Sequence, residues 1–356
     1  MKKKYYFFIV IILSLIFVVV QTSRYWVPYY NYYFSKYEYL NPKNSNKFIV
    51  GTESAQCTDF YIPEAVKNVI SAAYPDKEIV YRNDVQPHLI VREFAARGEG
   101  MKRKIFPKPA SNCKWTAPHV LISAERKSFD PRRYKRDAPP VLNFVSREPI
   151  KQDEVYFPFL VWSSQFTNTR KQINYDRKFL LYVSSHCVKE REKLFALIRE
   201  KDNSAEALGK CSNTRGGERA AGNWRNITDL FSQYNFVFAM ENEQWPGYIT
   251  EKILNVLQAG AIPIYWGDSN AVAEFFNPKA YIDVNKFKSL EEAAEYIVNF
   301  SKDSEKVKAM QREPMFKDNK VHELFLSDKN SPYVQKYAKL LKENYYNFLK
   351  HKKVID

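Results

Sequence analysis

Apolar and polar positions along the chain fall into two alternating patterns. Short runs rich in Val, Ile, Leu, Phe and Tyr predict buried strands, and the stretches between them carry apolar residues at helical spacing. The predicted strands are KFIVGT, EIVYR, HLIVRE, HVLISAE, KFLLYVSS, NFVFAMENE, AIPIYWG and KAYIDV. The predicted helices are 63–74, 188–201, a short helix between Thr250 and Gly260, 289–300 and a C-terminal helix over 331–353.

A polar stretch at 163–177 separates these elements into two groups, and residues 126–140 are basic and Pro-rich, as in a loop. Each group alternates strand and helix, which predicts a parallel sheet with crossover helices. A chain of 356 residues is also too long for one compact core. We therefore predict an α/β fold with two Rossmann-like domains facing a cleft, at 47–165 and 166–345, followed by a basic tail at 346–356.

The N-terminus carries three lysines and then the uncharged run YYFFIVIILSLIFVVV. We interpret 1–4 as a cytoplasmic tail, 5–21 as a transmembrane signal-anchor and 22–46 as an aromatic stem, with the remaining chain on the lumenal or outer face. A cleaved signal peptide is the alternative, but no small-x-small cleavage site follows. For the C-terminal helix, packing against the body of the protein is favoured over membrane contact.

The formal net charge of +15 is compatible with an anionic partner. No helix-turn-helix, zinc-finger or RNP pattern is present, so nucleic acid is not the expected partner. The four cysteines, Cys57, Cys113, Cys187 and Cys211, form no CxxC pair, which argues against zinc. Their spacing leaves all three disulfide pairings open.

The stretch YITEKILNVLQAGAIPIYWG, residues 248–267, carries the clearest chemical signal. Thr250 suits an N-cap, and Gly260 suits the C′ position, where φ is positive. Lys252 in the first turn supplies charge for a phosphate at a helix N-terminus, whereas the Glu251 carboxylate suits sugar hydroxyls. A sugar nucleotide is therefore a natural ligand, and ordinary helix capping is the alternative interpretation.

Several motifs are absent from the sequence. It contains no GxxxxGK[ST] loop, no GxGxxG after a strand, no GxSxG and no HExxH. It also contains no Asp-x-Asp, the carboxylate pair through which many sugar-nucleotide enzymes hold a divalent metal. We therefore expect that no cofactor is required, that a divalent metal could stimulate the protein but is not held by an Asp-x-Asp, and that the diphosphate is neutralised by Arg, Lys and helix termini.

The segment FAMENEQWPGYITEKILNVLQAGAIPIYWG resembles the donor-binding signature of the α-1,3-fucosyltransferases, glycosyltransferase family 10. That family carries F-x-x-x-E-N, then Y-[IV]-T-E-K, then G-x-[IV]-P-[IV]-x-x-G. FLLYVSSHCVKERE and ALGKC are similar to further family segments, so the resemblance covers about 178–300. It implies a GT-B glycosyltransferase that uses GDP-fucose.

The resemblance also implies roles for individual residues. Arg191 and Lys252 would hold the diphosphate, Glu251 the ribose or fucose hydroxyls, and Asn242 and Tyr248 the rest of the donor. Glu125 in LISAERKSFDP would be the catalytic base, with Glu93 and Glu53 as other strand-end carboxylates. Cys187 and Cys211 match a cysteine pair of animal members, which implies a disulfide.

The implied reaction is inverting transfer of L-fucose from GDP-β-L-fucose to a GlcNAc-containing glycan, in α-1,3 linkage. The acceptor, N-acetyllactosamine or an N-glycan core, is left open. The implied setting is a type II membrane protein, in the Golgi of a eukaryote or otherwise in a bacterial or host membrane. Two alternatives are a GT-B transferase for another nucleotide sugar and a membrane-anchored, non-catalytic glycan- or nucleotide-binding protein.

Overall fold

The structure is a computed structural model. It describes residues 40–53, 62–94, 117–123, 140–158, 169–172, 176–218, 227–325, 328–352 and 354–355. Among these residues, none of the helices combines the length and the apolar character needed to cross a bilayer. The predicted anchor at 5–21 lies outside them.

The first sheet has six parallel strands in the order β2-β1-β3-β4-β5-β6. The strands are β1 Lys47–Glu53, β2 Glu78–Tyr81, β3 Leu89–Phe94, β4 His119–Ser123, β5 Pro140–Val145 and β6 Glu154–Tyr156. Helix α1, Glu64–Ala73, buries Val66, Val69 and Ile70 against this sheet. The central strands are buried on both faces, which explains their continuous apolar runs.

The second sheet has five parallel strands in the order β11-β10-β9-β7-β8. These are β7 Lys178–Ser184, β8 Glu206–Gly209, β9 Tyr234–Met240, β10 Ile262–Trp266 and β11 Ile282–Asp283. The helices are α2 Lys189–Lys201, α3 Thr228–Phe231, α4 Glu251–Gln258, α5 Ser269–Phe275, α6 Leu290–Ser301 and α7 Ser304–Arg312. Short 3₁₀ turns lie at Pro42–Asn44, Val284–Lys286, Lys317–Asn319 and Glu323–Phe325.

The strand order reverses between β7 and β9. From β7 the chain moves to one side for β8 and then returns to the other side for β9. The connections that follow these two strands therefore diverge and leave a crevice at their carboxyl ends, which is where open α/β sheets bind ligands. Helix α2 follows β7 and helix α4 follows the β9 loop, so both helix N-termini border this crevice.

Helix α8, Pro332–His351, returns from the second sheet to the first. Its buried Tyr345 hydroxyl donates hydrogen bonds to the carbonyls of Leu40 at 2.8 Å and His88 at 3.1 Å, and the Asn344 amide donates to Val141 at 2.8 Å. Packing of this helix against the body of the protein is confirmed. The predicted boundary assigned most of it to 166–345, whereas its apolar face covers the first sheet.

Candidate active site

A buried carboxylate organises the crevice. Glu241 follows β9 and is fully buried. Its Oε1 accepts from the Thr250 N–H at 2.7 Å, and its Oε2 accepts from the Thr250 hydroxyl at 2.8 Å and from Lys252 Nζ at 2.8 Å. Lys252 Nζ also donates to Thr250 Oγ1 at 2.7 Å. A buried charge needs a partner and satisfied hydrogen bonds, and Thr250 and Lys252 supply both.

Thr250 occupies the predicted N-cap position of α4, with extended φ and ψ of −114° and 179°. Its hydroxyl makes no capping hydrogen bond, because it is used on Glu241 and Lys252. At the other end, Gly260 has φ +74° in the C′ position, as predicted. A Cβ there would lie 2.6 Å from the Lys171 carbonyl oxygen. Helix α4 is thus short and fixed at both ends, with its N-terminus at the crevice.

Glu251 lies beside this cluster with an unsatisfied oxygen. Its Oε2 is buried and has no hydrogen-bond partner among the described residues. Burial raises the pKa of this carboxyl; Lys252 opposes the shift and Glu241 reinforces it. A buried oxygen without a donor is costly, so a hydroxyl supplied by a ligand would relieve it.

Arg191 lies below the crevice and is only 3% exposed. Its Nη2 donates to the Met240 carbonyl and, at 2.9 Å, to Asn242 Oδ1, while Nη1 donates to Ser184 Oγ at 3.2 Å. Burial lowers the pKa of this guanidinium. The side chain therefore joins the ends of β7 and β9 and orients Asn242. Its contact with a diphosphate stays a prediction.

Tyr248 lies on the loop between β9 and α4 and is 5% exposed. Its N–H donates to the Trp245 carbonyl at 2.9 Å, which closes a turn just before Thr250. The structure thus brings Arg191, Asn242, Tyr248, Glu251 and Lys252 to one end of the second sheet. Their individual roles toward a donor stay predictions.

Cys187 and Cys211 form a disulfide with Cα atoms 5.2 Å apart. It ties the connection between β7 and α2 to the turn after β8, next to Arg191. Among the described residues, the one group with metal-ligand spacing is Cys187, Glu192 and Cys211, and its two sulfurs are bonded to each other. Cys57 and Cys113 lie outside the described residues.

The carboxylates predicted as bases belong to the first sheet. Strands β1, β3 and β4 are parallel and adjacent, so they end at one edge. Glu53 and Glu93 lie in the last residues of β1 and β3. Glu125 lies outside the described residues, two positions after Ser123, the end of β4. Its role as the base stays a prediction.

Glu241 is the glutamate of the F-x-x-x-E-N signature, and the sequence pattern alone assigns it no role. The sequence feature that points to a functional role for Glu241 is its position directly after the apolar run FVFAM. A carboxylate at that position lies at the carboxyl edge of the sheet. Its pairing with Lys252 depends on how the 241–250 loop folds back onto α4. Sequence spacing alone does not specify that contact.

The model of glycosyltransferase family 10 (fucosyltransferase), C-terminal part, matches residues 173–312. The chain is 47% identical over 98 residues to the alpha-(1,3)-fucosyltransferase FucT of Helicobacter pylori, covering 27% of this chain and 19% of that protein. It is 33% identical over 228 residues to the alpha-(1,4)-fucosyltransferase of Arabidopsis thaliana, covering 54% of this chain and 56% of that protein. A putative fucosyltransferase of Acanthamoeba polyphaga mimivirus is 34% identical over 175 residues, covering 46% of this chain.

The alignments therefore span from about a fifth to a little over half of the curated relatives, namely 19%, 28% and 56% of their lengths. A crystal structure of an alpha1,3-fucosyltransferase with GDP-fucose superposes with a TM-score of 0.53 at 18% identity. It covers 84% of this chain and 90% of the other. At this identity the likeness concerns the fold, and it confirms the predicted α/β fold with parallel sheets, which resembles GT-B fucosyltransferase structures.

The matched region contains β7, β9 and α4, and hence the Glu241–Thr250–Lys252 cluster and Arg191. The resemblance inferred from the sequence motifs is confirmed: residues 173–312 of this chain match the C-terminal part of glycosyltransferase family 10, the fucosyltransferase family.

Proposed function

We propose that this protein transfers L-fucose from GDP-β-L-fucose to a hydroxyl of a GlcNAc-containing glycan, in α-1,3 linkage and with inversion. The observation that carries this proposal is the Glu241–Thr250–Lys252 cluster at the N-terminus of α4, within the family 10 region. It places a cation and a helix N-terminus, which suit a diphosphate, beside the carboxylate of Glu251, which suits a hydroxyl.

Of the two cations predicted to hold the diphosphate, Lys252 has the better access. Its side chain is 25% exposed, whereas Arg191 is almost inaccessible. Glu241 holds the ammonium group at the helix N-terminus, so little reorganisation is needed when charge develops on the phosphates. Glu251, with its unpartnered oxygen, is suited to accept from a ribose or fucose hydroxyl. Asn242 and Tyr248 complete the donor side.

The chemical step needs a base from the other domain. In a single displacement, the acceptor oxygen bonds to fucose C1 on the face opposite the phosphate as the base removes its proton, and the bond between C1 and the phosphate oxygen breaks to release GDP. We assign this role to Glu125, after β4, with Glu93 and Glu53 as the alternatives. The diphosphate is neutralised by Lys252 and α4, so the proposal requires no divalent metal.

The proposal includes a membrane setting. The apolar segment 5–21 would anchor the chain with the catalytic domains on the lumenal or outer side. Alkaline carbonate extraction of full-length protein tests this part, since release into the soluble fraction would contradict it.

The test of the reaction uses the detergent-solubilised full-length chain with EDTA present. GDP-fucose and other nucleotide sugars are offered with N-acetyllactosamine and N-glycan core acceptors, and the product is identified by mass and NMR. We expect α-linked fucose on GlcNAc O3. Fucose on O4 would correct the linkage, transfer from another donor would replace the proposed donor, and GDP binding without transfer would favour a binding protein.

Two variants separate the roles of the proposed residues. Glu125→Gln should lower kcat by about 10²- to 10⁴-fold with the Kd for GDP unchanged, as for loss of a general base. Lys252→Met should weaken GDP binding by about 10- to 100-fold, the value of a hydrogen bond to a charged group. Glu93→Gln is the matched control for Glu125→Gln. A larger loss of kcat in the control would move the base to Glu93.

A further inference from the structure

The loop between β9 and α4, residues 241–250, is held by the first domain as well as by its own. The hydroxyl of Tyr156, at the end of β6, donates to the Gly247 carbonyl at 2.9 Å. The Glu148 N–H, just after β5, donates to the Pro246 carbonyl at 2.9 Å. Two consecutive carbonyls of the loop are therefore bonded to the first sheet.

Gly247 packs directly against residues of the first domain. Its φ is +78°, and a Cβ there would lie 2.7 Å from the Glu148 nitrogen and 3.1 Å from Cε2 of Tyr156. Any side chain would therefore force the loop away from the first sheet. A glycine here meets both requirements, the backbone conformation and the space.

The first-domain side of this contact is held by its own hydrogen bonds. Glu154 is 8% exposed, and it accepts from Arg147 Nη2 at 2.7 Å and from the Ile150 N–H at 2.8 Å. These bonds close the turn that carries Glu148. The backbone carbonyl of Tyr156 is itself fixed by the Tyr337 hydroxyl of α8, at 2.8 Å.

The second domain holds the same loop from the opposite side. The Gly247 N–H donates to Asp268 Oδ2 at 2.7 Å, while Asp268 Oδ1 caps helix α5. The Pro246–Gly247 peptide is thus bonded to the first domain at its carbonyl and to the second domain at its N–H, and Tyr156 bonds the carbonyl of the next peptide, Gly247–Tyr248. Two residues later the chain reaches Thr250, whose N–H and hydroxyl fix Glu241.

We propose that Tyr156, from the first domain, is a positioning residue for the nucleotide-sugar site of the second domain. Its hydroxyl fixes the Gly247 peptide and, through it, the position of Tyr248 and the N-terminus of α4. The donor site is then complete only when the two domains are in contact. This inference rests on the proposed function for its ligand, but the loop contact itself can be measured without any ligand.

The test compares Tyr156→Phe with Tyr337→Phe in the full-length chain. Each variant loses one hydroxyl hydrogen bond to a main-chain carbonyl, of 2.9 Å and 2.8 Å. The Tyr337 hydroxyl donates to the backbone carbonyl of Tyr156. Tyr337→Phe therefore weakens the attachment of β6 at the same residue but leaves the hydrogen bond from the Tyr156 hydroxyl to Gly247 intact. A merely structural role for Tyr156 would make the two variants alike.

The first readout is hydrogen exchange of the amides of Gly247, Tyr248 and Thr250 without ligand. We expect about 3- to 10-fold faster exchange in Tyr156→Phe, the effect of one neutral hydrogen bond, and wild-type exchange in Tyr337→Phe. Equal exchange in wild type and Tyr156→Phe, or the same acceleration in both variants, would overturn the proposal.

The second readout is the KM for GDP-fucose, with kcat and the acceptor KM measured alongside. We expect donor KM to rise about 3- to 10-fold in Tyr156→Phe, with kcat and acceptor KM close to wild type. A fall in kcat with unchanged donor KM would contradict the positioning role. If the wild-type protein does not use GDP-fucose, the proposed function is refuted. The hydrogen-exchange measurement would still decide the role of Tyr156.

Discussion

Replacing Glu241 with glutamine tests whether one buried carboxylate organises the crevice. Glutamine keeps the shape and one acceptor oxygen, so the bond from the Thr250 N–H can persist. Its amide nitrogen is a donor, however, and would face the Lys252 ammonium group that now lies 2.8 Å from Glu241 Oε2. The variant therefore removes one charge-assisted hydrogen bond and the counter-charge of Lys252 without creating a cavity.

The magnitude follows from burial. Hydrogen bonds to charged groups contribute about 1.5–3 kcal/mol, and breaking a fully buried ion pair costs about 3–5 kcal/mol. Lys252 retains 25% exposure and can turn toward water, which favours the lower range. We expect the free energy of unfolding to fall by about 2 kcal/mol. For a domain of this size, that loss corresponds to a melting temperature about 4–8 °C lower.

Glu206→Gln is the matched control in the same sheet. Glu206 also contacts cations, Lys178 at 2.9 Å and Arg215 at 3.4 Å, but its side chain is 24% exposed and those of the two cations are 50% and 39% exposed. Exposed ion pairs contribute about 0–1 kcal/mol, so this variant should lose about 1 kcal/mol or less. Denaturant unfolding followed by fluorescence gives both values. Equal losses in the two variants, or a Glu241→Gln protein as stable as wild type, would refute the argument from burial.

Three further predictions concern the scaffold. Gly260→Ala should lower the free energy of unfolding more than Gly217→Ala does, as measured by denaturant unfolding. Both glycines have positive φ, but of the two only Gly260 would bring a Cβ against a carbonyl oxygen. Equal losses of stability in the two variants would argue against this steric contribution. Burial lowers the pKa of His88, and its Nδ1 accepts a backbone N–H at 2.9 Å in the folded protein. The free energy of unfolding should therefore decline as the pH falls from the pKa of His88 in the unfolded chain, near 6.5, toward its lower pKa in the folded protein. The slope should be at most about 1.4 kcal/mol per pH unit. A His88→Asn protein with the same decline would exclude this histidine as the cause. Cys187→Ser should lose about 3 kcal/mol of stability for a disulfide to Cys211 that closes a loop of sequence separation 24, and wild type under reducing conditions should match it.

The parallel sheets were predictable because buried parallel strands are continuous apolar runs. Strands β1–β4, β7, β9 and β10 fall on the predicted segments to within a few residues. Strand β5 was missed, since Pro140 opens it directly after a Pro-rich stretch and Asn143 interrupts its apolar run. Asn143 is nevertheless only 5% exposed. Strand β8, at Glu206–Gly209, is too short for a period to be recognised.

The ends of the α4 helix were also predictable, because N-cap and C′ positions depend on local backbone chemistry. Gly260 and the N-cap position of Thr250 are confirmed. The hydrogen bonds of the site were not predictable. Arg191 meets Asn242 across 51 positions of sequence, and this contact exists because β9, rather than β8, lies beside β7 on that side. Local patterns carry no information about that choice of neighbour.

The return of α8 to the first sheet has a consequence for synthesis on the ribosome. Tyr345 closes over Leu40 across 305 positions of sequence. At about 5–20 residues per second, roughly 15–60 s elapse between the emergence of these two residues. In many proteins the amino-terminal domain completes its folding before the next domain is synthesised. This chain cannot fold in that order, because its first sheet needs the C-terminal helix α8. Part of the apolar surface of the first sheet therefore stays exposed until α8 has been synthesised. Dependence on chaperones should be greatest between the emergence of Leu40 and that of Tyr345.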